Sequence, residues 1–220
     1  MSFSVREASR FAFGVVVLTA ACSGGADAGS IATTVVTTTT VVTTTTTVAE
    51  TTEAPAKPGY AEYVTVTDDT GTITVSLPAE WSDVDGEGWH VDGEDDWGLP
   101  AGDIGSALTA ATDIDAWYDT WTAPGLFVGI SSLIPGTIDE LLDAEDWDEC
   151  VINGRSEVAF GQFTGSYDRW DDCEGTGTSF IEMYVRSDGG AVTIRLQLAV
   201  VGERDWEAFE EILASIQVSL

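Results

Sequence analysis

A threonine-rich stretch from Ser30 to Lys57 limits which part of this 220-residue chain can form a packed core. Its threonine runs and valine pairs show no helical period and carry too little apolar surface to offset the chain entropy lost on folding. Valine and threonine also favour strands, so a buried strand is the alternative interpretation. Threonine-rich, proline-ended segments beside a membrane anchor are typical of extended stalks. The sequence therefore predicts one globular domain, from Pro58 to Leu220.

The N-terminus has the order of charge, apolar run and small residues that is typical of a secretory signal peptide. Arg6 and Arg10 precede an apolar run from Phe11 to Leu18. This run is much shorter than the roughly 20 apolar residues of a membrane-spanning helix. We therefore expect residues 1–21 to be removed as a signal peptide.

The segment Leu18-Thr19-Ala20-Ala21-Cys22 resembles the lipobox of bacterial lipoproteins, although Thr19 stands where leucine is usual. In such proteins the cysteine thiol is diacylglycerylated, and the cysteine becomes the first residue of the mature chain. On this interpretation Cys22 anchors the protein to the extracellular side of the cell envelope, and residues 22–57 form the linker. Cleavage by ordinary signal peptidase near Ala28, after Ala26-Asp27-Ala28, is the alternative and would give a secreted protein without Cys22.

The charge of the chain is strongly one-sided, with 38 Asp and Glu residues against 8 Lys and Arg residues. Lys57 is the only lysine. Such a field repels nucleic acid and anionic lipid headgroups, so a nucleic-acid-binding role is excluded and the lipid is the only expected membrane contact. Aspartate-rich, lysine-poor surfaces also suit proteins that stay soluble at high salt, so the acidity can reflect a saline habitat instead of a partner.

Hydrophobic patterning after Pro58 predicts an α+β domain in which strands alternate with helices. Apolar or alternating runs bounded by turn residues predict strands at 63–67, 73–77, 106–111, 126–130, 180–185 and 192–200. Helices are predicted to begin at the capping residues Asp113, Thr137 and Asp205. The acidic, glycine-rich segment after Trp81 is expected to be a loop as far as Asp103. In the last two strands polar residues alternate with apolar ones, so only one face of that hairpin is expected to be fully buried.

The cysteine count agrees with the lipid anchor. A lipidated Cys22 leaves an even pair, Cys150 and Cys173, in an oxidising compartment where disulfides persist. We expect these two residues to be bonded, which would close a loop of about 24 residues and stabilise the fold by roughly 3 kcal/mol. Neither cysteine would then act as a nucleophile.

The segment from Gly71 to Trp81, GTITVSLPAEW, resembles the strand-Pro-x-x-Trp opening of PsbP-like domains, which include the LpqN-type lipoproteins of actinobacteria. Asp113 to Trp121 lies where that family has a helix after its third strand. The resemblance covers about Tyr60 to Leu220 and implies an antiparallel β-sheet flanked by α-helices. It also implies an accessory or binding domain, because the family has no common catalytic residues. The acidic insertion after Trp81 departs from the family pattern.

Catalytic motifs are missing from the sequence, which has no G-x-S-x-G elbow, no phosphate-binding loop, no C-x-x-C and a single histidine, His90. We therefore assign no catalytic residue and expect no structural zinc site. The predicted function is a non-enzymatic domain that binds another envelope component or a small ligand. A hydrolase without a recognised motif is an alternative, and it predicts turnover that is lost on His90→Ala.

One acidic segment has the ligand spacing of a calcium-binding loop, with carboxylates at positions one, three, five and twelve and Gly88 at position six. The four carboxylates are Asp83, Asp85, Glu87 and Glu94. Glutamate at position five is atypical, His90 replaces the usual aliphatic residue, and a strand ending at Pro78 leaves no room for the preceding helix. A calcium-binding adhesion or sensing module is therefore a second alternative function, and a solvated acidic loop is the non-functional interpretation. No other cofactor is expected.

Thermal melts of the Pro58 to Leu220 fragment separate these two interpretations. A calcium site predicts a rise in melting temperature in Ca²⁺ that Mg²⁺ at matched ionic strength does not reproduce, because a bound ion stabilises only the folded state. Asp85→Ala is expected to abolish that rise. Melts that coincide in Ca²⁺, in Mg²⁺ and with chelator would leave the loop as solvated surface, since general screening acts with any salt.

Overall fold

The computed structural model describes residues 59–91, 99 and 101–219. The predicted signal peptide, Cys22, the threonine-rich linker and Glu94 lie outside the described residues. Within the described ranges, no helix is long and apolar enough to cross a membrane.

The described residues form eleven strands and three α-helices. The strands are β1 (Tyr63–Thr67), β2 (Ile73–Pro78), β3 (Asp83–Asp85), β4 (Trp89–Val91), β5 (Gly102–Ala111), β6 (Gly125–Ser131), β7 (Val151–Phe160), β8 (Phe163–Asp171), β9 (Ser179–Ser187), β10 (Thr193–Val200) and β11 (Gln217–Val218). The helices are α1 (Ile114–Asp119), α2 (Ile138–Ala144) and α3 (Glu203–Ser215). The central antiparallel sheet has the strand order β3, β5, β6, β10, β9, β8, β7, and β4 also pairs with β5.

The first face of the central sheet is apolar and packs against α3 and a small sheet of β1, β2 and β11. Leu108, Val128, Leu196 and Met183 are paired in register across four adjacent strands, and none of them is exposed. Burying each such side chain contributes about 1.5–3 kcal/mol. This face is therefore the main hydrophobic core.

The second face is covered by α1, α2 and the segments that connect them to the sheet. Two glycines of β6 make room for tryptophan rings on this face. A Cβ at Gly129 would overlap the ring of Trp89, and a Cβ at Gly125 would overlap the ring of Trp117. The two rings therefore pack directly on the backbone of a central strand.

The fold confirms the predicted α+β class, an antiparallel sheet flanked by helices. All six predicted strands are present, although β5 is longer than expected. Asp113 caps α1 as predicted, and Thr137 and Glu140 form the predicted capping box of α2. Local capping chemistry and apolar runs were sufficient to place these elements.

Three regions differ from the prediction. The acidic segment after Trp81 contains β3 and β4, which both pair with β5. The hairpin of β7 and β8 was not predicted, because β7 is largely exposed and shows no apolar alternation. Gly202, not Asp205, is the N-cap residue of α3, and Asp205 is the third residue of the helix. Its buried carboxylate lies in the first turn and accepts hydrogen bonds from the N–H groups of Val201 and Gly202 at 2.9 and 2.8 Å.

The structure confirms the predicted disulfide between Cys150 and Cys173, which are 23 residues apart in the sequence. Cys173 is fully buried and packs in a cluster that includes Trp121, Trp147 and Phe180. The bond joins the segment before β7 to the segment between β8 and β9. It therefore braces the open end of the β7–β8 hairpin, where Val151 pairs with Asp171.

Replacing Cys150 and Cys173 together with serine is expected to lower the free energy of unfolding by roughly 3 kcal/mol, because the unfolded chain regains the entropy of the opened loop. Urea unfolding of the oxidised protein would measure the loss. A reductant should reproduce the loss in the wild-type protein and have no effect on the double variant. Equal stability of the oxidised wild-type protein and the double variant would contradict a bracing role.

Candidate functional site

A row of polar side chains crosses the second face of the central sheet. Arg155, Asp168, Glu182 and Gln197 are directly paired across β7, β8, β9 and β10. Directly paired residues of antiparallel strands lie on the same face of the sheet. Glu182 has no exposed surface and Asp168 is 5% exposed. We call these four residues the polar row. The burial of Glu182 shows that the second face of the β9–β10 hairpin is not solvated as the sequence had suggested.

Glu182 is a buried carboxylate whose two oxygens both accept hydrogen bonds. Arg195 of β10 donates to it from Nε at 2.8 Å and from Nη2 at 3.2 Å. Gln197 donates from Nε2 at 2.8 Å. A buried charge is tolerated only when it is paired and hydrogen-bonded in this way.

Arg195 also connects the sheet to the segment that follows α2. Its Nη2 atom donates to Oε1 of Glu145 at 2.9 Å, and the Tyr184 hydroxyl donates to the same oxygen at 2.5 Å. The guanidinium carbon lies 5.6 Å from the centre of the Tyr184 ring. One arginine therefore holds two carboxylates, Glu182 on the sheet and Glu145 after the helix.

Arg155 makes the corresponding connection at the edge of the sheet. Its Nε and Nη2 atoms both donate to Asp168 at 2.8 Å. It also donates to Asp139 at 3.1 Å and to Asp143 at 2.9 Å, both on α2. These carboxylates and their hydrogen bonds raise the pKa of Arg155, so the side chain stays charged. Helix α2 is thus fastened to the sheet by two arginines.

The buried pair has strongly perturbed acid–base properties. Burial raises the pKa of the Glu182 carboxyl to about 7, while Arg195 opposes the rise and Glu145 adds to it. Burial alone would lower the pKa of Arg195, but Glu182, Tyr184 and Glu145 together raise it above its ordinary value. Burial also raises the pKa of the Tyr184 hydroxyl. The cluster therefore contains a permanent positive charge and a carboxylate that titrates near neutral pH.

An open groove lies beside the polar row at the β7–β8 hairpin. Its lining residues belong to these two strands and are Glu157, Val158, Ala159, Thr164, Gly165 and Ser166. Glu157 is the only ionisable residue among them. The carboxylate and the two hydroxyls are hydrogen-bond acceptors, so the groove suits a cationic or hydrogen-bond-donating group.

Three of the four residues of the predicted calcium loop are described, and two of them have local structural roles. Asp83 accepts a hydrogen bond from the N–H of Ile114 at 2.8 Å, and Asp85 accepts one from the N–H of Glu87 at 2.9 Å. Among the described residues, no three His, Cys, Asp or Glu side chains are grouped so that they could hold a metal ion. Because Glu94 is outside these residues, the calcium site stays a prediction.

His90 lies in β4, directly paired with Asp103 of β5. Its Nδ1 atom is 2.8 Å from Oδ1 of Asp103, and both side chains are exposed. The pair therefore joins β4 to β5 at the surface of the domain.

Sequence reasoning missed the polar row, although one signal for it was present. Glu182 and Gln197, like Tyr184 and Arg195, become direct partners once the β9–β10 hairpin is closed at Asp188-Gly189-Gly190. Polar residues with complementary charge on one face of a hairpin indicate a cross-strand network. What the sequence did not reveal was that α2 covers this face.

The pH dependence of stability tests whether the Glu182 carboxyl is protonated in the folded protein. Its folded pKa of about 7 lies above the ordinary value of 4.5, so the folded state binds more protons than the unfolded state between these values. The contribution of Glu182 to stability is therefore present below pH 4.5 and is lost as the pH rises through about 7.

Glu182→Gln removes this titration. We expect the unfolding free energy of the wild-type protein, minus that of the variant, to fall as the pH rises from about 4.5 to 7. Denaturant unfolding of both proteins at a series of pH values would measure this difference. Glu210→Gln, which changes an exposed carboxylate on α3, should follow the wild-type profile. A wild-type to Glu182→Gln difference that does not change with pH would show that Glu182 keeps one charge state throughout.

A scan of the chain against protein-family models and a search of curated proteins both found no match.

Proposed function

We propose that this chain is a lipoprotein anchored through Cys22 on the extracellular side of the cell envelope. Its folded part is a PsbP-like, non-enzymatic accessory domain that binds a positively charged envelope component. Support for this cellular location comes from the charged, apolar and small-residue order of the N-terminus and from the lipobox-like segment before Cys22. Support for the binding role comes from the charge of the domain.

The observation that carries the binding role is that the arginines of the described residues are already bound within the domain. Arg155 and Arg195 hold α2, as described above. Arg169 donates to Asp171 at 2.7 Å and stacks 4.5 Å from the Trp206 ring centre. Arg204 pairs with Glu80 at 2.8 Å, and Arg186 donates to Thr193 at 3.0 Å. The positive charges are thus used internally.

Carboxylates remain in large excess and many of them face solvent. Exposed acidic residues occur on both sides of the domain, for example Asp146 and Asp148 after α2, and Glu203 and Glu210 on α3. A surface of one sign attracts partners of the opposite sign and speeds their association. The domain is therefore suited to a basic partner and repels acidic ones.

The buried cluster around Glu182 supports binding over catalysis. A strongly perturbed pKa marks a candidate active-site residue, but structural ion pairs produce the same shift. Glu182 has no exposed surface, and three hydrogen bonds occupy its oxygens. A general acid or base must reach a substrate proton, and this carboxylate instead positions Arg195 and α2.

Photo-crosslinking in intact cells tests this function. A photoreactive residue in place of the exposed Asp146 is expected to crosslink the membrane-anchored chain to a basic envelope component. The yield should fall as salt is raised, because the Debye length shrinks from about 10 Å at 0.1 M to 3 Å at 1 M. The same substitution in a Cys22→Ala chain is the control, and that chain should appear in the medium.

Two results would contradict the proposal. Wild-type protein found in the medium with a new N-terminus near Ala28 would show secretion in place of anchoring. Substrate turnover that is lost on His90→Ala would replace the binding function with hydrolysis.

A further inference from the structure

Strand β7 is a long, exposed edge of the central sheet. It runs for ten residues, from Val151 to Phe160, and pairs on one side with β8. On its other side, no strand within the described ranges pairs with it. An edge strand of this kind presents unpaired N–H and C=O groups, which another extended chain can use as a template.

This edge has few of the features that normally prevent pairing. It contains no proline, its only charged residues are Arg155 and Glu157, and its single irregularity lies near its start, between Ile152 and Gly154. Val151 and Ile152 are 63% and 51% exposed. Natural edge strands are usually blocked by charges, prolines or bulges along their length. An open edge with exposed apolar residues therefore indicates a surface that a partner covers.

The charges around the edge define the kind of partner. Arg155 is the only cation on β7, and Asp168 binds it through two hydrogen bonds. Asp139 and Asp143 also face it, with side chains 75% and 70% exposed. Glu157, two residues further along β7, adds another carboxylate. The edge is therefore net negative, and a second copy of the chain would bring the same carboxylates together.

The open groove lies next to this edge. Glu157 and Ala159 of β7 line it together with Thr164 and Ser166 of β8. Successive side chains of an added strand point to opposite faces of the sheet. Every second side chain of that strand would therefore lie on the groove side, beside the Glu157 carboxylate.

We infer that β7 is a docking edge for an extended, positively charged segment of a partner protein, which adds to the central sheet as a further strand. Main-chain hydrogen bonds hold the segment along β7. A basic side chain on the groove side pairs with Glu157, and an apolar side chain covers Ile152. This inference rests on the proposed binding function and names the surface and the chemistry of its partner.

Two synthetic peptides with equal charge separate strand addition from simple charge attraction. The first alternates lysine with valine and threonine. The second keeps every lysine but has its central valine and threonine residues replaced by proline, which cannot donate a main-chain hydrogen bond. The oxidised full chain is titrated with each peptide, and amide hydrogen exchange is followed along the chain. We expect the first peptide to bind at one site and protect amides of residues 154–160. The second peptide should bind at least about tenfold more weakly.

Two variants that each remove one carboxylate test whether Glu157 binds the basic peptide. Glu157→Gln should lower the affinity for the first peptide by about three- to tenfold. Glu203→Gln, which removes an exposed carboxylate from α3, should leave its affinity unchanged. Equal loss in both variants would show that only the overall charge matters, and would overturn the inference.

Other results also decide against docking at β7. Equal affinity for both peptides would overturn it in favour of charge alone, and protection of β7 that depends on protein concentration without peptide would assign the edge to a second copy. Absence of peptide binding, with the salt-sensitive crosslink still present, would place the partner elsewhere and leave the proposed function standing. Absence of both would reject the function as well.

Discussion

The packing of α2 on the second face of the central sheet depends on the buried ion pair of Glu182 and Arg195. Each charge is costly to bury alone, and removing one partner of a buried pair typically destabilises a protein by about 3–5 kcal/mol. The pair is satisfied only because Gln197 completes the bonds of Glu182 and Glu145 completes those of Arg195. Helix α2 is consequently held on this face by ion pairs as well as by the burial of Leu141 and Leu142, whereas α3 packs on the other face mainly through apolar side chains.

This division between the faces explains how a very acidic chain folds. The first face is filled mainly by aliphatic residues such as Leu196 and Met183. The second face gathers Arg155 and Arg195, two of the few cations in the chain, and uses each of them to hold carboxylates from α2 and the sheet. Internal ion pairs thus offset part of the repulsion among the acidic residues, while the unpaired carboxylates face the solvent.

The sequence predicted those parts of the fold that local chemistry determines. The capping box of Thr137 and Glu140 and the apolar run of β6 are specified by adjacent residues, so they were found. The β7–β8 hairpin was missed because an exposed edge strand has no burial pattern to read. Glu182 was taken for a solvent-facing residue because its burial depends on α2, which lies about 40 residues earlier in the sequence. The site, unlike the elements around it, is a product of tertiary packing.

The position of the single lysine, Lys57, has a practical consequence for handling the protein. The folded domain contains no lysine, because Lys57 precedes the described residues. Amine-directed reagents can therefore attach to the linker side chain while leaving the side chains of the domain unmodified. A surface that captures the chain through Lys57 would hold it on the same side of the domain sequence as the proposed lipid on Cys22.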